Sequence, residues 1–167
     1  MNLLLIPEVP FSITNICELV KNRVTNRGHC LIAIAEGAGQ DILQRATPQF
    51  DASGNRVLVD VGIWLRDEIA KYLKMNHIEF TIKYIDPSYT IRSAPANTVD
   101  SVFCVQVAQM AVHAAMRGKT NCTVGVVNGH FIVIPLERTT SERKQVDSSS
   151  VSYQVMLDNT GMPIKLT

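Results

Sequence analysis

Two short apolar runs held apart by one amphipathic helix constrain this chain more than any other feature. Residues 3–9 open with Leu3-Leu4-Leu5-Ile6, are broken at Pro7 and end before Pro10, as a short buried strand does. Ser12 stands where a helix N-cap belongs. Behind it Ile13, Ile16, Cys17, Val20 and Val24 recur at helical spacing along one face, and Gly28 stops the helix. Residues 29–35 (HCLIAIA) are apolar without alternation, the pattern of a strand covered on both faces in a parallel sheet. Strand, helix and strand with short links make a βαβ unit, and such crossovers are right-handed. The class is therefore α/β.

The rest of the chain extends that pattern. Glu36-Gly37-Ala38-Gly39 ends the second strand, a short helical piece is expected over 41–46, and 47–56 reads as a turn-rich loop with Pro48 and Asp51-Ala-Ser-Gly54-Asn55. Asp60 caps a second helix with Val61, Trp64, Leu65, Ile69, Tyr72 and Leu73 as its apolar stripe and Asp67 to Lys71 as an i,i+4 pair. Residues 79–85 (EFTIKYI) predict a third strand, and 86–95 a loop bounded by Pro87 and Pro95. A long helix from 97 or 98 to 117 is apolar almost all round, which predicts burial among other elements. Two strands, 122–127 and 130–135, flank Asn128-Gly129, a strong hairpin signal. Beyond Leu136 the chain turns polar, with Ser148-Ser149-Ser150 as a linker and a weak helix over 151–158.

Charge and cysteines narrow the function. Sixteen Lys and Arg against 15 Asp and Glu give a net charge of +1, which argues against a nucleic-acid partner held by bulk charge. The N-terminal apolar run ends at Ile6, too short for a signal peptide or membrane span, and no membrane partner is expected. Cys17, Cys30, Cys104 and Cys122 show no C-x-x-C spacing; they read as reduced, mostly core thiols of a cytoplasmic protein. The abrupt start inside an apolar strand suggests a piece of a longer protein.

Ligands of an open α/β sheet bind beyond the carboxyl ends of its strands. Two loops lie there: the one after Glu36, and 86–95. Lys83, Tyr89 and Arg92 supply an ammonium, a phenol and a guanidinium within ten residues, which together suit a phosphate ester. Glu36 is a carboxylate able to accept from sugar hydroxyls, beside two glycines that let a ligand reach the backbone. A phosphate pocket beside an acceptor describes a sugar-phosphate site. On spacing alone a plainer alternative stays open, in which Lys83 and Arg92 are surface charges and Glu36 caps glycine-rich backbone. His29, His77, His113 and His130 lack metal-ligand spacing, and His113 is expected to be a hydrogen-bonded core residue. No Walker-type phosphate loop and no G-x-S-x-G elbow is present.

Four segments in register, Ile6-Pro-Glu-Val-Pro-Phe11, Ala35-Glu-Gly-Ala-Gly-Gln40, Asp51-Ala-Ser-Gly-Asn55 and Lys83-Tyr-Ile-Asp-Pro-Ser-Tyr-Thr-Ile-Arg92, together resemble the phosphofructokinase family. The run Gln109-Met-Ala-Val-His-Ala-Ala-Met-Arg-Gly118 and Val124-Gly125 match it too. The resemblance spans roughly residues 3–140 and is nearest to the ATP-dependent enzymes of plants and some protists, relatives of the pyrophosphate-dependent branch. It implies phosphorylation of fructose 6-phosphate at its 1-hydroxyl, in glycolysis, with ATP and Mg2+. Glu36 matches the family's sugar-contacting glutamate, and Lys83, Tyr89 and Arg92 match its 6-phosphate ligands. Bacterial members usually carry Arg and His where Lys83 and Tyr89 stand.

The family's nucleotide-binding glycines, its catalytic T-I-D-N-D-like loop and its M-G-R segment lie upstream of the P-E-V strand and have no counterpart here. The resemblance therefore implies a C-terminal portion with no catalytic residue and no ATP or Mg2+ site of its own, and a homo-oligomer at full length. The resulting expectation is a three-layer sandwich with a largely parallel sheet. Residues 1–140 form its sugar-phosphate-binding part and 141–167 a polar tail with a short helix. The alternative is a non-catalytic sugar-phosphate-binding or regulatory fragment.

Overall fold

The computed structural model describes residues 1–43, 49–54, 57–141 and 144–167. They form two compact units, Met1–Ile85 with Gln145–Thr167, and Asp86–Lys144.

The first unit is built on the expected βαβ. Strand β1 (Leu3–Leu5) pairs in parallel with β2 (Ile32–Ile34), Leu3 opposite Ile32 and Leu5 opposite Ile34, across helix α1 (Ile13–Arg27). Helix α1 buries Ile16, Cys17 and Val20 against the sheet and ends at Gly28, left-handed at φ 74°, whose N–H donates to the Val24 carbonyl. Ser12 sits at the N-cap with extended backbone, but its hydroxyl makes no capping bond; its N–H donates instead to the Leu166 carbonyl. Helix α2 (Val61–Met75) is capped as expected, the Asp60 carboxylate accepting from the Ile63 N–H. It buries Val61, Gly62, Leu65, Ile69 and Leu73. The expected Asp67–Lys71 pair does not form: Asp67 takes Arg66 and Lys71 takes Glu68, each nearer in the chain.

The expected third strand is not a strand. Residues 78–83 keep its alternation, with Ile78, Phe80 and Ile82 packed on the core and Glu79, Thr81 and Lys83 outward, but no ladder bonds form. Alternation fixes which side faces the core; it does not supply a partner for the backbone. Residues 41–43 form turns after Gly39, and the remainder of the helical piece expected over 41–46 lies outside the described residues. In the loop that follows, Asp51 accepts from the Ser53 N–H and Gly54 has φ 80°. Thr47, Pro48 and Asn55, also part of that expectation, lie outside the described residues.

The polar end of the chain completes this core. Helix α3 (Ser88–Ser93), helix α4 (Thr98–Met116), strands β3 (Cys122–Val127) and β4 (His130–Pro135) and helix α5 (Leu136–Thr140) precede helix α6 (Val151–Thr160). Helix α6 is capped by Ser150 and by left-handed Gly161. It buries Tyr153 and Leu157, and Met162 and Leu166 follow them into the same cluster as Leu5, Ile16 and Leu73. Leu166 also bridges Phe11.

In the second unit β3 and β4 pair antiparallel through the expected turn, Asn128 and Gly129 both at positive φ (51° and 80°), which splays the strands least. Helix α4 corrects an expectation. Apolar all round, it was expected to be buried, yet among its residues only Ala114 is. Within its own unit the β3–β4 hairpin packs on it, with Phe103 against Phe131 at 6.1 Å, and Val99, Val105, Val112 and Met116 stay exposed. Burial of such a helix needs cover on every side, and one hairpin covers one strip. It is also the one helix among the described residues long and apolar enough to cross a membrane, by length and composition only.

Two outcomes follow from the first core. Leu157→Ala removes a side chain only 4% exposed and is expected to cost about 2–5 kcal/mol. Tyr153→Phe removes a buried hydroxyl that has no partner among the described residues, and should be neutral or stabilising by about 1 kcal/mol. Chemical denaturation of both variants reads this, and a Tyr153→Phe loss as large as the Leu157→Ala loss would show that the hydroxyl is satisfied. The Cys17 thiol gives a pH signature. Burial first, then the nearby Glu68 charge, pushes its pKa from 9.0 up to about 11. The folded state thus holds this proton more tightly than the unfolded chain. The resulting stability is whole below about pH 9 and is lost as pH rises through 11. The melting temperature should fall less steeply over that window in Cys17→Ala than in the wild-type chain.

Candidate functional site

Glu36 leaves the end of β2 at the start of a turn whose glycines have a specific use. A Cβ on Gly37 would stand 3.0 Å from Pro7, and one on Gly39 would stand 2.8 Å from the Phe11 ring, at φ 68°. The glycines admit the protein's own Pro7 and Phe11, so the expectation that they leave backbone open to a ligand is corrected. Gln40 clasps the turn: its amide nitrogen donates to the carbonyls of Glu36 (3.1 Å) and Val59 (2.9 Å), and its oxygen accepts from the Val59 N–H (3.1 Å). The Glu36 carboxylate is exposed on this braced turn.

Lys83 ends the alternating segment of the same unit, exposed, at the rim of a cavity of about 970 Å³. Val20, Ile32, Phe80 and Ile82 line one part of this cavity, and His29, Lys74, Glu79 and Thr81 join Lys83 around the rest, so its lining is mixed.

Tyr89 and Arg92 belong to the second unit, where the Pro-bounded loop contains α3. The Ser88 N–H is held by the Asp86 carboxylate, and the Ser93 hydroxyl donates to the Tyr89 carbonyl. An i,i+3 spacing sets the phenol and the guanidinium on one face of a single turn. Nothing in α3 is buried, and Tyr89 is 83% exposed. The four expected residues are thus carried in pairs: Glu36 and Lys83 by the first unit, Tyr89 and Arg92 by the second.

The other candidates lie in different surroundings. His113 is exposed, which corrects its expected place in a core, for the same reason that α4 is uncovered. Cys104 on that helix is likewise exposed, whereas Cys17 is buried. Burial raises the Cys30 pKa, partly offset by the Arg23 charge; neither Cys17 nor Cys30 is an activated thiolate. Among the described residues no three His, Cys, Asp or Glu side chains gather into a metal site. Three residues that no spacing marks brace the backbone beside these candidates: Gln40 holds the turn after Glu36, and Tyr84, next to Lys83, lies on Gly62 and Asp60. The available signal was Gly62, a poor helix former in the first turn of a strong helix, which points to close approach by another group.

A family model described as Phosphofructokinase matches residues 1–115. The chain is 42% identical over 165 residues to ATP-dependent 6-phosphofructokinase 7 of Arabidopsis thaliana, covering 95% of this chain and 34% of that protein. It is 38% identical over 175 residues to the ATP-dependent 6-phosphofructokinase of Borreliella burgdorferi, covering 99% of this chain and 39% of that protein. The corresponding enzyme of Entamoeba histolytica is 44% identical over 161 residues, with 93% and 36% covered. The chain thus spans about a third of the length of these relatives. The family match takes in the interlocked Pro7–Phe11 and Glu36–Gln40 segments and the Lys83–Arg92 run alike, and the chain belongs to the phosphofructokinase family.

Proposed function

We propose that this chain is the C-terminal, sugar-phosphate-binding portion of an ATP-dependent 6-phosphofructokinase of the plant and protist branch. Its substrate is fructose 6-phosphate, converted to fructose 1,6-bisphosphate by the whole enzyme in the cytoplasm. One observation carries the reading: the family match spans all four residues that chemistry alone singled out, and Tyr89 and Arg92 share one helical face. Arg92 offers a planar fork and Lys83 a point charge to the 6-phosphate; Tyr89 donates a directed hydroxyl; Glu36 accepts from sugar hydroxyls.

The remaining chemistry belongs to other parts of the enzyme. On this reading the nucleotide and Mg2+ are held by the upstream part of the enzyme, and no step through either is assigned to this chain. Residues 1–140 serve as one wall of a three-layer domain whose sheet is largely parallel at full length, in a homo-oligomer. The exposed apolar faces of α4 favour a related reading, a non-catalytic sugar-phosphate-binding fragment that folds beside a partner chain. A phosphotransfer assay with and without the upstream half separates the two, since only the first reading gains turnover from that half.

The purified chain should convert no fructose 6-phosphate with ATP or pyrophosphate; turnover surviving re-purification would place a general base among these residues. Calorimetric titration of the reconstituted or full-length enzyme with fructose 6-phosphate tests the wall. Arg92→Ala loses a charge-assisted contact of about 1.5–3 kcal/mol, ten- to a hundredfold in affinity. Tyr89→Phe loses a neutral bond of about 0.5–1.5 kcal/mol, tenfold or less. Arg66→Ala, whose guanidinium pairs with Asp67, serves as the distant control. An Arg66→Ala effect equal to that of Arg92→Ala would remove the site assignment.

A further inference from the structure

Residues 78–83 have no ladder bonds, so something other than a sheet must fix where Lys83 stands. Ile78, Phe80 and Ile82 hold the stretch from the core side. Its end is held by the next residue in the chain. The Tyr84 ring lies directly on Gly62, where a Cβ would overlap Cε2 and stand 3.0 Å from Cζ and 3.1 Å from Oη. Its hydroxyl donates to both Asp60 carboxylate oxygens, at 3.2 and 3.3 Å. One of those oxygens also accepts from the Ile63 N–H at 3.0 Å, so the acceptor is itself fixed by the first turn of α2.

We propose that Tyr84, seated on Gly62 and bonded to Asp60, is a positioning residue that locks the backbone of Lys83 for sugar-phosphate binding. The inference rests on the role of Lys83 proposed above. A lysine has a long flexible stem, so its ammonium is placed only as well as its backbone is. The latch ties that backbone to a capped helix of 15 residues, the best-braced element near it. Glycine at position 62 is explained by the same contact: its φ is ordinary, so alanine would suit the helix better, and only the ring excludes a side chain.

The test uses this chain reconstituted with its upstream half, and fructose 6-phosphate as probe. Gly62→Ala displaces the ring while raising helix propensity, so a purely structural role predicts no loss in the helix. Asp60→Ser keeps the helix cap but withdraws the acceptor from Tyr84, and Asp60→Asn keeps both. Gly62→Ala and Asp60→Ser should lower the backbone order parameters at Lys83 and Ile85 from about 0.85 to below about 0.6, with α2 unchanged. Both should weaken fructose 6-phosphate about fivefold or more, and Asp60→Asn should restore both readouts. Lys83→Ala is the separating arm. If it weakens binding while Gly62→Ala and Asp60→Ser alter neither readout, the latch is overturned and the role of Lys83 stands. If Lys83→Ala leaves affinity unchanged, the role of Lys83 is overturned and the positioning role falls with it.

Discussion

The approach of Phe11 to the backbone of Gly39 is the contact on which the first unit turns. A Cβ at position 39 would overlap the ring, and the φ of 68° there already disfavours any other residue. Phe11 is 6% exposed and also bridges Leu166, so the start of α1, the turn after β2 and the last residues of the chain meet at one ring. Burial of an aromatic of this size contributes about 1.5–3 kcal/mol, and here the same burial aligns three distant segments. Glu36 inherits its place from that closure, because the turn that carries it cannot move without opening Gly37 from Pro7 and Gly39 from Phe11.

Recognition of a phosphate by Lys and Arg depends on how far water is excluded. An exposed ion pair contributes little, while the same pair out of water contributes several times more. Lys83 and Arg92 are both exposed, so in this chain each presents a charge still solvated. On the proposed reading, the described residues supply donors in the right chemical set, and tight binding requires further protein to dry the site. The relatives are about three times longer than this chain, which leaves ample protein for that purpose.

What was legible in the sequence was whatever one segment determines by itself. The stripe from Ile13 to Val24, the stop at Gly28, the Asp60 cap and the Asn128-Gly129 hairpin are local, and all appear where they were expected. Pairing and cover were not legible, because they are relations between segments. Residues 79–85 have strand composition but no ladder bonds among the described residues, and α4 has core composition yet within its own unit packs on the hairpin with most of its residues exposed. The hydrophobic pattern over 151–158 was too weak to announce that Tyr153 and Leu157 enter the main core. Of the candidate site, the four side chains were singled out by their chemistry alone. Their bracing was not: Gln40, Gly62 and Tyr84 act through contacts across gaps of 19 to 24 residues, which no spacing rule reaches.

The two carriers of the candidate site therefore differ in kind. Glu36 and Lys83 stand on backbone tied to a core that both ends of the chain close, so little freedom remains to be lost when a ligand arrives. Tyr89 and Arg92 stand on a six-residue helix that buries nothing. Such a helix is far below the length at which a helix holds itself in water; Pro87, the Asp86 carboxylate on the Ser88 N–H, the Ile91 N–H on the Pro87 carbonyl and the Ser93 hydroxyl brace it. Ordering each of its residues costs about 1–2 kcal/mol, comparable to the gain from one charge-assisted contact. The proposed phosphate ligands with the strongest intrinsic chemistry thus sit on the weaker support. Their net contribution is set less by the guanidinium itself than by whatever packs against α3 when the sugar phosphate is bound.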